Sequence, residues 1–91
     1  MLKITEMVGN ENRIDLILEG RIVGDCIEYL EDFCLVRLGQ QAREISLDFT
    51  GVRYVEPRGV DMLKRISGSR LNIVKCPIFI AELLNKGLWE V

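Results

Sequence analysis

Few side chains in this chain are placed to do chemistry. Cys76 follows Lys75, the one pairing that hints at a thiol activated by a neighbouring cation. On a strand, however, successive side chains point to opposite faces and the two do not meet. Asp48 lies inside the apolar stretch Ile45-Ser46-Leu47-Asp48-Phe49, where it faces solvent or caps the following loop more readily than it acts as a base. Histidine is absent, which removes the usual general base, the commonest metal ligand and the simplest pH switch together. No glycine-rich phosphate loop of the Walker or dinucleotide type occurs. A thiol or acid–base enzyme is the least supported reading, and no catalytic residue, cofactor or metal site is expected.

The stretch from Glu44 to Leu63 is better suited to binding. Ile45, Leu47 and Phe49 alternate with Ser46 and Asp48 as on a strand. Thr50-Gly51 reads as the end of that strand, and residues 52–55 as a short apolar connection. Glu56-Pro57-Arg58-Gly59 then opens a helix, since proline fits the first helical turn and drives the residue before it out of the helical region. Glu56 is expected at the cap, where its charge complements the helix dipole or meets a partner. Arg58 opposes that dipole, so helix stability does not account for it. Three roles are open to it: pairing with Glu56 or Asp61, binding a partner carboxylate, or holding an anion at the free N–H groups. Gly59 is expected to allow close approach of helix to sheet. Arg53, Tyr54 and Asp61 flank the same loop and are further contact candidates.

The elements that must position this stretch follow from periodicity. Leu2, Ile4 and Met7 mark a first, edge strand, and Gly9-Asn10-Glu11-Asn12 a turn. Ile14, Leu16 and Leu18 mark a second strand, antiparallel to the first. Residues 20–24 read as a loop, with Asp25 as the cap of a helix over residues 26–38 and Gly39 as its stop. Tyr29, Phe33, Leu35 and Val36 make that helix apolar on more than one face, from tight packing or as a contact surface. The helix from Pro57 ends at Ser67-Gly68-Ser69, and Leu71, Ile73 and Val74 make another strand. A last helix is expected from Pro77 through Ile80, Leu83, Leu84 and Leu88, weakened near Gly87. The order is ββαβαβα, an α/β class with a mixed, mostly parallel sheet and helices mainly on one face.

The 91 residues suit one domain, 1–91, with 48% hydrophobic and 29% charged residues and a net charge of −2. The absence of a basic cluster argues against nucleic acid. No apolar run reaches the roughly 18 residues of a membrane span, and no apolar leader stands at the N-terminus, so a cytoplasmic location is expected. Cys26, Cys34 and Cys76 are odd in number and widely spaced, and read as reduced, buried structural residues.

The ββαβαβα order, Leu18-Glu19-Gly20-Arg21-Ile22 and the stretch Leu47-Asp48-Phe49-Thr50-Gly51-Val52-Arg53-Tyr54-Val55-Glu56-Pro57-Arg58-Gly59-Val60 together resemble a STAS domain. This is the domain of bacterial anti-sigma-factor antagonists and of sulphate-transporter tails. The resemblance implies a regulatory protein-interaction module acting in transcription or signalling. It would dock an anti-sigma factor or kinase-like protein through Arg53, Tyr54, Glu56, Pro57, Arg58, Asp61 and Met62, helped by residues 22–25, Ile22 and Val23 among them. The alternative it implies is an accessory subunit of a membrane transporter. The family's phosphorylated hydroxyl stands just before the glycine of Asp-Ser-Ser/Thr-Gly. Here that position is Arg58, so no phosphorylation site carries over.

Overall fold

Leucine and isoleucine at every second position from Ile14 and from Ile45 build two adjacent strands whose one face is buried and whose other is not. The computed structural model describes residues 2–40 and 43–84. Its elements are β1 (Leu2–Val8), a tight turn at Asn10–Asn12, β2 (Arg13–Ile22), α1 (Asp25–Gln40), β3 (Glu44–Val55), α2 (Pro57–Ile66), β4 (Leu71–Val74) and α3 (Ile78–Leu84). The strands form one sheet in the order β1-β2-β3-β4, with β1 antiparallel to β2 and the other pairs parallel. The expected ββαβαβα order and edge position of β1 are those observed.

Register carries the apolar face across the sheet. Ile14 pairs with Ile45 and Leu16 with Leu47, while Ile45 and Leu47 also meet Leu71 and Ile73. One core cluster joins this face to Ile27, Leu30 and Cys34 of α1, Met62 and Leu63 of α2, and Ile80 and Leu84 of α3. Phe49 belongs to it with no exposed surface; full burial of such a side chain contributes about 1.5–3 kcal/mol. The opposite face carries Lys3, Thr5, Asp15, Glu19, Ser46, Asp48 and Asn72, all exposed or half-buried.

Several boundaries differ from those expected. Thr50-Gly51 does not end β3, which runs on to Val55. The strand bulges there instead: Ile17 pairs with Asp48, but Glu19 with Gly51. A Cβ on Gly51 would lie 2.8 Å from Glu19 Cγ and 3.1 Å from the Leu18 carbonyl oxygen. The Thr50 N–H, displaced from the ladder, donates to Asp48 Oδ1 at 2.9 Å. Gly20, with φ of 115°, likewise lies within β2 rather than in a loop. Gly24, with φ of 55°, precedes α1, so Asp25 is its first residue and not its cap. Gly39 lies inside α1, which continues to Gln40. Pro77 stands just before α3, its carbonyl accepting from Ala81 N at 2.8 Å. Met7, grouped with Leu2 and Ile4 as a marker of the first strand, is 54% exposed and falls on the face opposite to theirs. Gly87 and Leu88 lie outside the described residues.

Candidate functional site

The carboxyl ends of β2 and β3 finish side by side, Ile22 paired with Val55. Two loops leave from this point. Residues 23–24 lead into α1, and Glu56 leads into α2 after its N–H donates to the Ile22 carbonyl at 3.1 Å. α2 starts hard against the strand ends because Gly59 has no side chain. A Cβ there would lie 2.9 Å from Val55 Cγ1 and 3.3 Å from Ile22 Cγ2. The close helix-to-sheet approach read from Gly59 is thus observed.

Glu56 is the cap of α2, with Pro57 as the first helical residue, as expected. Its carbonyl receives the N–H groups of Gly59 at 2.8 Å and Val60 at 3.1 Å. Its carboxylate makes no capping bond to the helix. Instead, Glu56 Oε1 accepts from Gly24 N at 3.3 Å and from Arg58 Nε and Nη2 at 3.4 and 3.3 Å. One carboxylate therefore ties the loop before α1 to the first turn of α2 and orients Arg58. Of the partners open to Arg58, Glu56 is the one it meets. That pair stays open to water, with 74% of the Arg58 side chain exposed, and such pairs contribute between nothing and about 1 kcal/mol. The guanidinium remains free to exchange this partner for another.

The nine residues expected at the docking surface divide into three groups. Val23, Glu56, Pro57, Arg58 and Asp61 lie at or near the surface around the α2 start. Tyr54 is half-buried and Arg53 exposed on the last residues of β3, with the Arg21 guanidinium 5.5 Å from the Tyr54 ring. Ile22 and Met62 have no exposed surface and belong to the core. These two cannot touch a partner: each falls at the apolar position of its element, facing the other layer.

A groove of ≈ 360 Å³ runs from Arg58 along the seam between α1 and α2, past Asp61 and Arg65 on one side and Asp25, Glu28 and Glu31 on the other. Arg65 Nη2 closes its far end on both carboxylate oxygens of Glu31, at 2.9 and 3.0 Å. Of these α1 carboxylates, Asp25 falls within the expected docking stretch, whereas Glu28 and Glu31 lie outside it. Their spacing places Asp25 and Glu28 on one helical stripe, but only the packed pair of helices sets that stripe opposite Arg58 and Asp61.

Cys34 and Cys76 are unlike nucleophiles. Burial pushes the Cys34 thiol up to about 12, and it also raises Cys76 above the ordinary value. Cys26 and Cys76 are half-buried rather than buried. Cys76 does not lie on a strand: Lys75, with φ of 53°, turns the chain out of β4. Lys75 Nζ lies 3.9 Å from Asp48 Oδ2, so its charge is directed to a carboxylate. Hydrogen bonding from Thr50 holds Asp48 below the usual carboxylate range, the opposite of what a base needs.

No protein-family model matches the sequence, and no curated protein matches it either. Among solved structures, the fold is similar to the anti-sigma factor antagonist SpoIIAA in its unphosphorylated form. That match has a TM-score of 0.69, covers 92% of this chain and 78% of SpoIIAA, and has 13% sequence identity. The fold is also similar to an antisigma-factor antagonist STAS domain from Rhodobacter sphaeroides, with a TM-score of 0.57, coverage of 81% and 86%, and 16% identity. At such identities the likeness is one of architecture: the chain has the STAS fold of the anti-sigma-factor antagonists.

Proposed function

We propose that this chain is a regulatory protein-interaction module that docks a second protein on the surface around the α2 start. The observation that carries this reading is Arg58. It is a largely exposed guanidinium on the first turn of a helix whose dipole disfavours it by about 0.3–1 kcal/mol, oriented by a carboxylate it can leave. A residue that mildly opposes its own helix and buries nothing is accounted for by what it binds. A carboxylate of the partner fits it, through charge-assisted, bidentate hydrogen bonds.

Two of the STAS folds that it resembles are anti-sigma-factor antagonists, one of them described in an unphosphorylated form. The partner class that follows is a cytoplasmic anti-sigma factor or kinase-like regulator. Docking here works without a phosphate at the α2 start, because residues 55–60 hold no Ser, Thr or Tyr. The raised thiols and lowered Asp48 favour binding over catalysis.

The immobilised 91-residue chain, as wild type, Arg58→Ala and Arg58→Glu, serves as bait, with captured proteins identified by mass spectrometry. A regulator of this class is expected on the wild type. Arg58→Ala should weaken it about tenfold or more, since a hydrogen bond to a charged group contributes about 1.5–3 kcal/mol. Arg58→Glu should weaken it further by repulsion. Unchanged capture by Arg58→Glu together with a fall in melting temperature overturns the reading. So does a binding-controlling phosphate on Thr50 or Tyr54.

A further inference from the structure

A second face of the molecule adjoins the α2 start only through Asp25 and Glu28, which also line the groove facing Arg58. Tyr29, Phe33 and Val36 recur along α1 at spacings of four and three, so they share one side of the helix. Tyr29 and Val36 point away from the buried stripe of Ile27, Leu30 and Cys34, while Phe33 is half-buried and packs against the core. Tyr29 is 58% exposed and Val36 50%. The Tyr29 and Phe33 rings pack against each other at 6.0 Å, and the Arg37 guanidinium covers Phe33 at 3.6 Å from the ring centre. Arg37 is itself held on β1, its Nε and Nη2 donating to the two carboxylate oxygens of Glu6 at 2.9 and 3.0 Å. The aromatic strip is thus tied to the sheet through Arg37 and Glu6.

Charge decides what covers it. α1 carries Asp25, Glu28, Glu31 and Asp32 but a single cation, Arg37. Glu31 is taken by Arg65 and Arg37 by Glu6. Asp25, Glu28 and Asp32 make no ion pair among the described residues and form a stripe beside the aromatic one. A second copy of this chain brings no free cation on its own α1 and sets carboxylate against carboxylate, which opposes self-association through this face. An anionic membrane surface is repelled for the same reason. We infer that the outer face of α1 is a docking surface for a basic amphipathic helix of another protein. The apolar side of that helix lies on Tyr29 and Val36, beside the Arg37-covered Phe33, and its Lys or Arg side chains reach Asp25, Glu28 and Asp32.

The test uses the isotope-labelled 91-residue chain and a fluorescent amphipathic peptide of about 18 residues, long enough for about five turns, with a leucine face and a lysine face. Wild type should bind the peptide, with NMR shift changes centred on residues 25–36 and affinity falling as salt rises. Tyr29→Ala and Asp32→Lys should each weaken binding about tenfold, whereas Asp15→Lys, an equal change of charge on the open sheet face, should leave it within about twofold. Melting curves confirm that each variant is folded. Four results overturn the proposal: no binding, shift changes centred elsewhere, equal binding of a peptide with glutamate in place of lysine, or equal loss in Asp15→Lys. Concentration-dependent dimerisation that Tyr29→Ala abolishes also overturns it, by assigning the face to a second copy. Because no variant here touches Arg58, failure of this inference leaves the reading of the α2 start standing.

Discussion

The two long helices use their surfaces in opposite ways. α2 separates cleanly: Gly59, Val60, Met62 and Leu63 are buried, while Arg58, Asp61, Lys64 and Arg65 face water. Folding alone accounts for that division. α1 buries Ile27, Leu30 and Cys34 by the same rule, yet it also leaves Tyr29, Leu35 and Val36 exposed at 58, 46 and 50%. That surplus adds nothing to the core. The comparison teaches that residue type does not separate core from contact surface. Met62, beside the candidate site, is a core residue, whereas Tyr29, on a helix read mainly for packing, is an exposed one.

The sharpest way to break this comparison is truncation on each helix. Met62→Ala should lower unfolding free energy by about 2–5 kcal/mol, as expected for a fully buried side chain. Tyr29→Ala should stay within about 0.5 kcal/mol. Urea denaturation measures both, and equal losses would show that the α1 aromatics support the fold after all.

The glycines offer the next contrast. Gly59→Ala pushes a methyl group into Val55 and Ile22 and should cost about 1–3 kcal/mol by overpacking. Gly39, inside α1, has nothing within 4 Å of an added Cβ. Gly39→Ala should therefore stabilise the protein by about 0.5–1 kcal/mol, through lower backbone entropy in the unfolded chain. Thermal melts of the two variants should shift in opposite directions.

Acid gives a smaller effect. Hydrogen bonding to Arg37 lowers the Glu6 carboxyl below its ordinary 4.5, and Thr50 lowers Asp48 below 3.8. Both groups are more acidic when folded, so the stability they contribute is complete above those ordinary values. It is lost as pH falls through the lowered ones. Urea midpoints should thus be flat near neutrality and fall below about pH 4.5, and Glu6→Gln with Asp48→Asn should flatten that fall. A variant that keeps the wild-type acid slope would remove Glu6–Arg37 as the tie between β1 and α1.

Thiol labelling probes the inner side of α1 with the least disturbance. Cys34 is buried and its thiol raised to about 12, so it should react only on unfolding. Cys26 and Cys76, half-buried, should react slowly in the native protein. Rapid native labelling of Cys76 would return an activated thiol to consideration.

Much of the fold was legible. Alternation from Ile14 and from Ile45, the proline at the head of α2 and the polar turn at Gly9-Asn10-Glu11-Asn12 each place an element by local rules. The candidate site was legible in part. Glu56, Pro57, Arg58 and Gly59 stand where the proline sets them, but the α1 carboxylates facing them belong to an element 30 residues earlier, and no local pattern joins the two.

Order, strand faces and the start of α2 were determined by the sequence itself, because periodicity and proline act over a few neighbouring residues. Tertiary structure decided what each glycine means. Gly51 and Gly20 look like breaks, yet each lies within a strand, because whether a glycine turns the chain or lets it bulge depends on the neighbouring strand. It also decided which apolar side chains are hidden. A helix has one buried stripe, and only the packing of α1 between α2 and the edge of β1, through Glu31–Arg65 on one side and Glu6–Arg37 on the other, leaves Tyr29 and Val36 outside it.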